Sequence, residues 1–173
     1  MTDAEPPSLD AQAFRLAMQQ LAATVTVVAI DPAQPVGMTA TAVMSLSAAP
    51  PSIVVSINRA TALGGKLRLG ALLCVNALAS GQDEICRAFG GGAPGPERFK
   101  LGTWRLDNVA PYLEEAVANI FAQVEQLVEF GTHTLVIARL IGLRLEGGRD
   151  PLVYLRGEFH DLQSRHEAWG MPL

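Results

Sequence analysis

The chain has 173 residues, of which 49% are apolar and only 17% charged, and its formal net charge is −4. That is enough for one domain with a real core, and too little for a Rossmann cofactor domain joined to a separate substrate domain. The acidic total argues against a protein that coats nucleic acid. The charge is unevenly spread: residues 1–58 hold one basic and four acidic side chains, residues 59–105 hold seven and three, and residues 106–173 hold five and ten. A basic middle in an acidic chain points to a seat for an anion.

In chain order, Phe14, Ala17, Met18 and Leu21 repeat at helical spacing and predict a helix over 9–22, with Ser8 or Asp10 as its cap. The β-branched run 24–30 (TVTVVAI) reads as a strand, and Asp31–Pro32 opens a turn that ends near Gly37. Residues 38–47 and 52–57 read as two strands broken at Pro50–Pro51, followed by a short helix at 61–69, a strand at 71–77 and a helix at 81–89. GGGAPGPE is a loop. The runs 117–129 and 133–146, separated by Gly131, read as a hairpin, and 151–162 as a last strand pair. Strands predominate, which favours a barrel over a doubly wound sheet. The domain is expected over 9–163, between a flexible tail at 1–8 and a C-terminal tail at 164–173.

The opening MTDAEPPSLD lacks the basic start and apolar centre of a secretory signal. The longest charge-free stretch, Pro32 to Asn58, contains Gly37, Pro50, Pro51 and six Ser or Thr residues, so it is not a membrane span. Cys74 and Cys86 fit neither a disulfide framework nor a zinc site, and His133, His160 and His166 do not pair at metal spacing. No bound metal, no nucleic acid and no membrane are expected, and a reducing cytoplasm is the simplest setting. Gly90–Gly95 matches the dinucleotide fingerprint by letter, but it follows a helix and Pro94 and Pro96 spoil its exit. Gly64–Gly65–Lys66 lacks the first glycine and the hydroxyl of a phosphate loop.

The informative stretch is VGMTATAVMSLSAAPPSIVVSINRAT, residues 36–61. Gly37 lets the backbone approach something closely. Thr39, Thr41, Ser45 and Ser47 fall at odd positions, so one strand face would carry four hydroxyls, as a strand lining a polar ligand does. Ser56, Asn58, Arg59 and Thr61 at the end of the next strand offer a charge and hydroxyls for a phosphate. A half-exposed strand followed by a polar turn has the same pattern.

Across about residues 13–163 the chain resembles the short NAD(P)H:flavin oxidoreductases, the reductase components of two-component flavin monooxygenases. The likeness rests on FRLAMQQLAATVTVVAI, VGMTATAVMSLSAAPPSIVVSIN, NRATA with LCVNALASGQ, ERF at 97–99, GTHTLVIARL and PLVYLRGEFHDL, in that order. The resemblance implies a mainly β fold: an FMN-binding split β-barrel with Greek-key topology and a few short helices. It implies a homodimer that binds FMN or FAD near the interface, takes hydride from NADH or NADPH, and passes reduced flavin to a separate oxygenase.

By the same resemblance, Gly37, Met38, Thr39, Ala40, Thr41 and Ala42 would lie along the flavin ring, with Ser45 and Ser47 beside the ring or ribityl chain. Asn58, Arg59 and Thr61 would hold the phosphate, helped by Lys66. Arg98 and Phe99 would close the site, His133 would face the nicotinamide, and Tyr154 would pack near the flavin. A solvated charge at Arg98, a core ring at Phe99 and a turn histidine at His133 are the plainer readings. Thr132 stands where many relatives carry Asp. The hydride chemistry belongs to flavin and nicotinamide, and the protein positions them. A non-enzymatic flavin carrier on the same fold is the alternative. A pyridoxal-phosphate-type oxidase is disfavoured by the Gly-Thr-His and Pro-Pro motifs.

Overall fold

The computed structural model describes residues 10–106 and 109–162, so the two expected tails lie outside the described residues. Helix α1 (Ala11–Met18) is capped by Asp10, whose carboxylate accepts from Ala13 N–H at 2.6 Å. Strands β1 (Ala23–Thr24), β2 (Thr26–Ile30), β3 (Val36–Ala40), β4 (Val43–Ala48) and β5 (Pro51–Asn58) follow. After one 3₁₀ turn at Gly64–Lys66 come β6 (Leu72–Ala77) and α2 (Asp83–Arg87), which widens into a π-type turn at Ala88–Gly92. A second 3₁₀ turn (Pro96–Lys100) leads to β7 (Trp104–Arg105), β8 (Tyr112–Leu113), the long hairpin β9 (Ala118–Phe130) and β10 (His133–Leu145), and the closing pair β11 (Val153–Leu155) and β12 (Glu158–His160).

Seven strands form one sheet in the order β3-β2-β6-β9-β10-β5-β4, all neighbours antiparallel. The two edge strands, β3 and β4, are consecutive in sequence, so the sheet curls back on itself and Thr41–Ala42 bridges its ends. β3 packs near β5 without pairing to it. The barrel is therefore split at this seam.

β2 is buried along its whole length because both its faces are covered. Val28 and Ile30 join Val55, Ile57, Leu73, Val75, Val124 and Val136 inside the barrel, while Val27 joins Leu78, Ile85, Phe89 and Leu113 in a second cluster outside it. A strand covered on both faces reads as a continuous apolar run, which is what TVVAI is. Between the layers, buried Asn76 accepts from Leu113 N–H and from Asn119 Nδ2, each at 2.9 Å, and donates to Val27 O at 2.9 Å.

Three expectations need correction. Residues 38–47 are not one strand: the chain leaves β3 at Ala40 and re-enters as β4 at Val43 on the opposite edge of the sheet. Thr39, Thr41, Ser45 and Ser47 consequently do not share one face, and a register shift between Ser45 and Ser47 separates even that pair. The helix expected over 9–22 ends at Met18, and Phe14, Leu16, Met18 and Leu21 are exposed instead of buried in the core. Among the described residues, no helix is long and apolar enough to cross a membrane, and no group of three His, Cys, Asp or Glu could hold a metal.

Candidate functional site

An edge strand carries backbone groups that its sheet does not use. β3 pairs with β2 on one side only, and its free side opens on a cleft of about 240 Å³ at the seam. Gly37, Met38, Thr39, Thr61, Ala62 and Leu63 form one wall, and Phe89, Gly90, Gly91 and Arg98 the other. A contiguous cleft of about 390 Å³ shares Gly37, Ala62 and Arg98 with it and adds Pro35, Val36, Lys66 and Pro96. Two cations, Arg98 and Lys66, thus stand over a largely apolar floor.

The reasons are local. Thr39 Oγ1 donates to Cys86 O at 2.7 Å, tying β3 to the end of α2. A Cβ on Gly37 would lie 2.8 Å from Phe89 Cε1 and 3.2 Å from Val28 O. The close approach at Gly37 is therefore made to the protein's own aromatic core. That ring is held by Phe99 and Trp104 at centroid distances of 5.0 and 5.1 Å. Arg98 donates through Nε to Ala93 O at 2.8 Å and through Nη1 to Gly37 O at 3.3 Å, which leaves Nη2 free to take a ligand. Thr61 closes the next turn: its hydroxyl donates to Asn58 O at 2.7 Å and accepts from Gly64 N–H at 3.0 Å. A Cβ on Gly64 would come within 2.5 Å of Asn58 O, so only glycine lets that turn fold so tightly. Lys66 Nζ contacts Asp31 at 3.3 Å and Gln34 O at 3.4 Å. The backbone N–H of Gln34, and then Lys66 itself, hold the Asp31 carboxyl below its ordinary pKa.

The expected residues divide into three groups. Gly37, Met38, Thr39, Thr61, Lys66 and Arg98 line the two clefts, with Ala40 buried at the end of β3 and Thr41, Ala42, Ser45 and Ser47 exposed along the seam and β4. Asn58, Arg59 and His133 form a second group. His133 is the register partner of both Asn58 and Phe130, and Thr132 Oγ1 lies 2.8 Å from His133 Nδ1. Arg59 turns its guanidinium to Glu129 and to Gly131 O at the β9–β10 tip, away from the clefts. Asn58 Oδ1 accepts from Ala60 N–H at 2.9 Å. The third group lies elsewhere: Phe99 packs in the Phe89–Trp104 cluster, and Tyr154 meets Phe159 edge-on beside Arg87 in a separate groove.

Residues that sequence reasoning missed are Ala62, Leu63, Phe89, Gly90 and Gly91. The glycine loop after Phe89 forms a wall of the cleft without the context of a dinucleotide fingerprint. Gly91 has φ +115°, a conformation that L side chains rarely adopt.

These features suit a flat, hydrogen-bonding ring with an anionic tail. The free edge of β3 supplies backbone groups, Phe89 and the glycine loop leave a slot beside it, and Arg98 and Lys66 lie farther along. Comparison with known proteins agrees. The flavin reductase like domain model matches residues 18–163. The chain is 35% identical over 167 residues to an FMN reductase (NADH), RutF, from Ancylobacter novellus, covering 95% of this chain and 92% of that one. Among solved structures it is similar to the Streptomyces globisporus NADH:FAD oxidoreductase SgcE6 in complex with NAD and FAD fragments, with a TM-score of 0.84, 25% identity, and coverage of 91% of this chain and 96% of the other. It is also similar to BorF, the flavin reductase component of a bacterial two-component tryptophan halogenase, with a TM-score of 0.81, 28% identity, and coverage of 90% and 100%.

Proposed function

The chain belongs to the flavin reductase-like family, and on that premise we propose that it is an NADH-dependent flavin reductase that reduces FMN and hands the product to a separate monooxygenase. The observation that carries the reading is the seam: a free strand edge and a cation-lined cleft meet where the barrel fails to close.

A bound flavin supplies the hydride-accepting chemistry. The residues hold and orient it. The backbone of Gly37–Ala42 contacts the ring, with Ser45 and Ser47 bordering its open side. Thr61, Lys66 and Arg98 take the phosphate, where charge-assisted contacts are strongest. His133, exposed at the start of β10, presents its imidazole to the nicotinamide side, with Asn58 and Arg59 beside it. Phe99 supports the site from below through Phe89. Tyr154, beside Phe159 in a separate groove, takes no part in this reading. Both thiols are free and buried, which suits a reducing cytoplasm.

The functional unit in this reading is a homodimer. Register partners share a face, so Met44, Val54, Ile137, Leu135, Val128 and Phe130 form one apolar surface across β4, β5, β10 and β9, on the side away from the core. Met44 is 62% exposed and Phe130 82%. A contiguous apolar patch of this kind marks an interaction site, and His133 lies on the same face next to Phe130. A second copy would cover the patch and bring its own surface to the edge of the cleft.

The test is NADH oxidation followed at 340 nm with FMN, then with FAD, and with NADPH in place of NADH, on protein whose mass in solution is measured by light scattering. Flavin-dependent turnover by a dimer is expected. No turnover with any pair sinks the enzyme reading, and a tightly bound yellow flavin with negligible oxidation would replace it with a carrier. A stable monomer would refute the dimer.

A further inference from the structure

His133 stands on a turn that the chain holds in place from two sides. Gly131 and Thr132 alone join β9 to β10, because Phe130 and His133 already face each other in register. Gly131 has φ +55°, and outside glycine, positive φ among the described residues is confined to Asp31 and Arg156. Glycine with positive φ first and a residue of negative φ second is the pattern of a type II′ hairpin turn. Arg59, just past the end of β5, clamps this turn. Its backbone N–H donates to Thr132 O at 3.0 Å, and its guanidinium donates to Gly131 O and pairs with Glu129. Thr132 is therefore fixed relative to the ring that follows it.

The consequence is chemical. Thr132 Oγ1 lies 2.8 Å from His133 Nδ1. A neutral imidazole carries one N–H, and the hydrogen bond at one ring nitrogen decides which nitrogen keeps the proton. A hydroxyl hydrogen rotates to suit its partner. Thr132 Oγ1 makes no other hydrogen bond among the described residues, so its proton is available to Nδ1. An Nδ1 that accepts leaves the ring proton on Nε2, which has no partner among the described residues. The charges on the same turn, Arg59 and Glu129, face each other, and Asn58 Oδ1 accepts from Ala60 N–H. The hydroxyl thus has the ring to itself.

We propose that Thr132 is a positioning residue: its hydroxyl donates to His133 Nδ1 and fixes the ring as the Nε2–H tautomer, so that His133 offers the nicotinamide a donor and not an acceptor. The proposal rests on the flavin-reductase reading and deepens it. Thr132 touches neither nucleotide and acts only through the ring.

Nitrogen-15 spectra of wild-type protein, Thr132→Val and Thr132→Ser would be recorded at about pH 9, where an ordinary imidazole is neutral, with His133→Ala identifying the His133 signals. Wild type should show the proton on Nε2 and an unprotonated Nδ1. Thr132→Val keeps the side chain's shape but removes the donor, so the Nδ1 signal should move, and Thr132→Ser should restore it. A proton on Nδ1 in wild type, or identical His133 signals in wild type and Thr132→Val, overturns the proposal. In NADH oxidation at saturating FMN, Thr132→Val should raise KM for NADH roughly threefold with kcat held, the size of one hydrogen bond. In a His133→Ala background the same substitution should change nothing. An unchanged KM, or an equal rise in both backgrounds, overturns the proposal as well. Failure of the underlying reading is seen separately, as wild-type protein that does not oxidise NADH in the presence of FMN although its nitrogen-15 signals behave as described.

Discussion

Gly37→Ala tests the packing that holds β3 in place. The new Cβ would lie 2.8 Å from Phe89 Cε1, 3.0 Å from Phe89 Cδ1 and 3.2 Å from Val28 O. The backbone carbonyl belongs to the adjacent paired strand and cannot retreat. Phe89 is only 2% exposed and is held edge-on by Phe99. The strain must therefore be relieved by moving β3 outward by a few tenths of an ångström. Overpacking of this kind costs about 1–3 kcal/mol. For a chain of this size, 2 kcal/mol corresponds to a Tm lower by roughly 4–8 °C. The same movement shifts Gly37 O, the acceptor for Arg98, so flavin affinity should fall with stability. Calorimetric unfolding of wild type, Gly37→Ala, Phe89→Leu and the double variant gives the test. Phe89→Leu removes the ring that the methyl strikes, so the double variant should lose less than the two singles together, with a coupling of at least about 0.5 kcal/mol. A wild-type Tm for Gly37→Ala, or strict additivity, would show that the ring does not hold the strand.

Four further outcomes are expected. Asn76→Ala leaves two buried donors, Leu113 N–H and Asn119 Nδ2, without their acceptor; at about 1–3 kcal/mol each, the urea midpoint should fall by an amount equivalent to roughly 4 kcal/mol, and a loss under about 1 kcal/mol would contradict the network's role. Lys66→Ala and Arg98→Ala should each weaken FMN binding more than Arg59→Ala, because Arg59 faces Glu129 and Gly131; fluorescence titration reads the order, and Arg59 as the most sensitive position would reverse the assignment of the phosphate seat. His133→Ala should lower kcat/KM for NADH by up to about tenfold, one polar contact's worth, while FMN affinity holds; an unchanged kcat/KM would remove His133 from the site. Burial pushes the Cys74 thiol far above its ordinary pKa and raises that of Cys86, so both should stay protonated and unlabelled by a thiol reagent at pH 8. Two thiols per chain should react once the protein is unfolded in guanidinium, and fast labelling of the native protein would contradict the packing.

Much of the fold could be read from the chain because its signals are local. β-branched runs marked β2, β5, β9 and β10, and Gly131 marked the hairpin turn, where its φ is +55°. The break at Thr41–Ala42 could not be read. Alternation of small and large residues continues straight through MTATAVMSLS, and nothing local says that its two halves belong to opposite sheet edges. Closure of a sheet is set by how all seven strands pair. Arg59 shows a related limit: a cation after a strand suits a phosphate, but β10 brings the Phe130–His133 turn alongside and Glu129 pairs with the charge. Gly90 and Gly91 lack the strand–turn–helix context of a dinucleotide fingerprint, although a glycine turn can line a ligand in other settings.

The seam also explains why one short domain can handle two nucleotides. A closed barrel would have paired β3 with β4 and consumed the edge on which the proposed flavin site rests. Because the chain crosses over at Thr41–Ala42, the edge stays free, and every cation along the resulting groove comes from the basic middle of the sequence: Arg98, Lys66 and Arg68. Two acidic residues of the C-terminal third serve other ends: Glu129 at the hairpin tip, and Glu115 in accepting from Thr103 N–H at 3.1 Å. Among the described residues Asp31 is the one carboxylate lining the groove, so the groove's positive charge is otherwise uncancelled there. If that charge is what draws dinucleotides in, the association rate for NADH should fall steeply with added salt, and Lys66→Ala together with Arg68→Ala should flatten that dependence. Stopped-flow measurement between low and physiological ionic strength would decide it: a salt dependence that survives both substitutions would place the steering charge elsewhere.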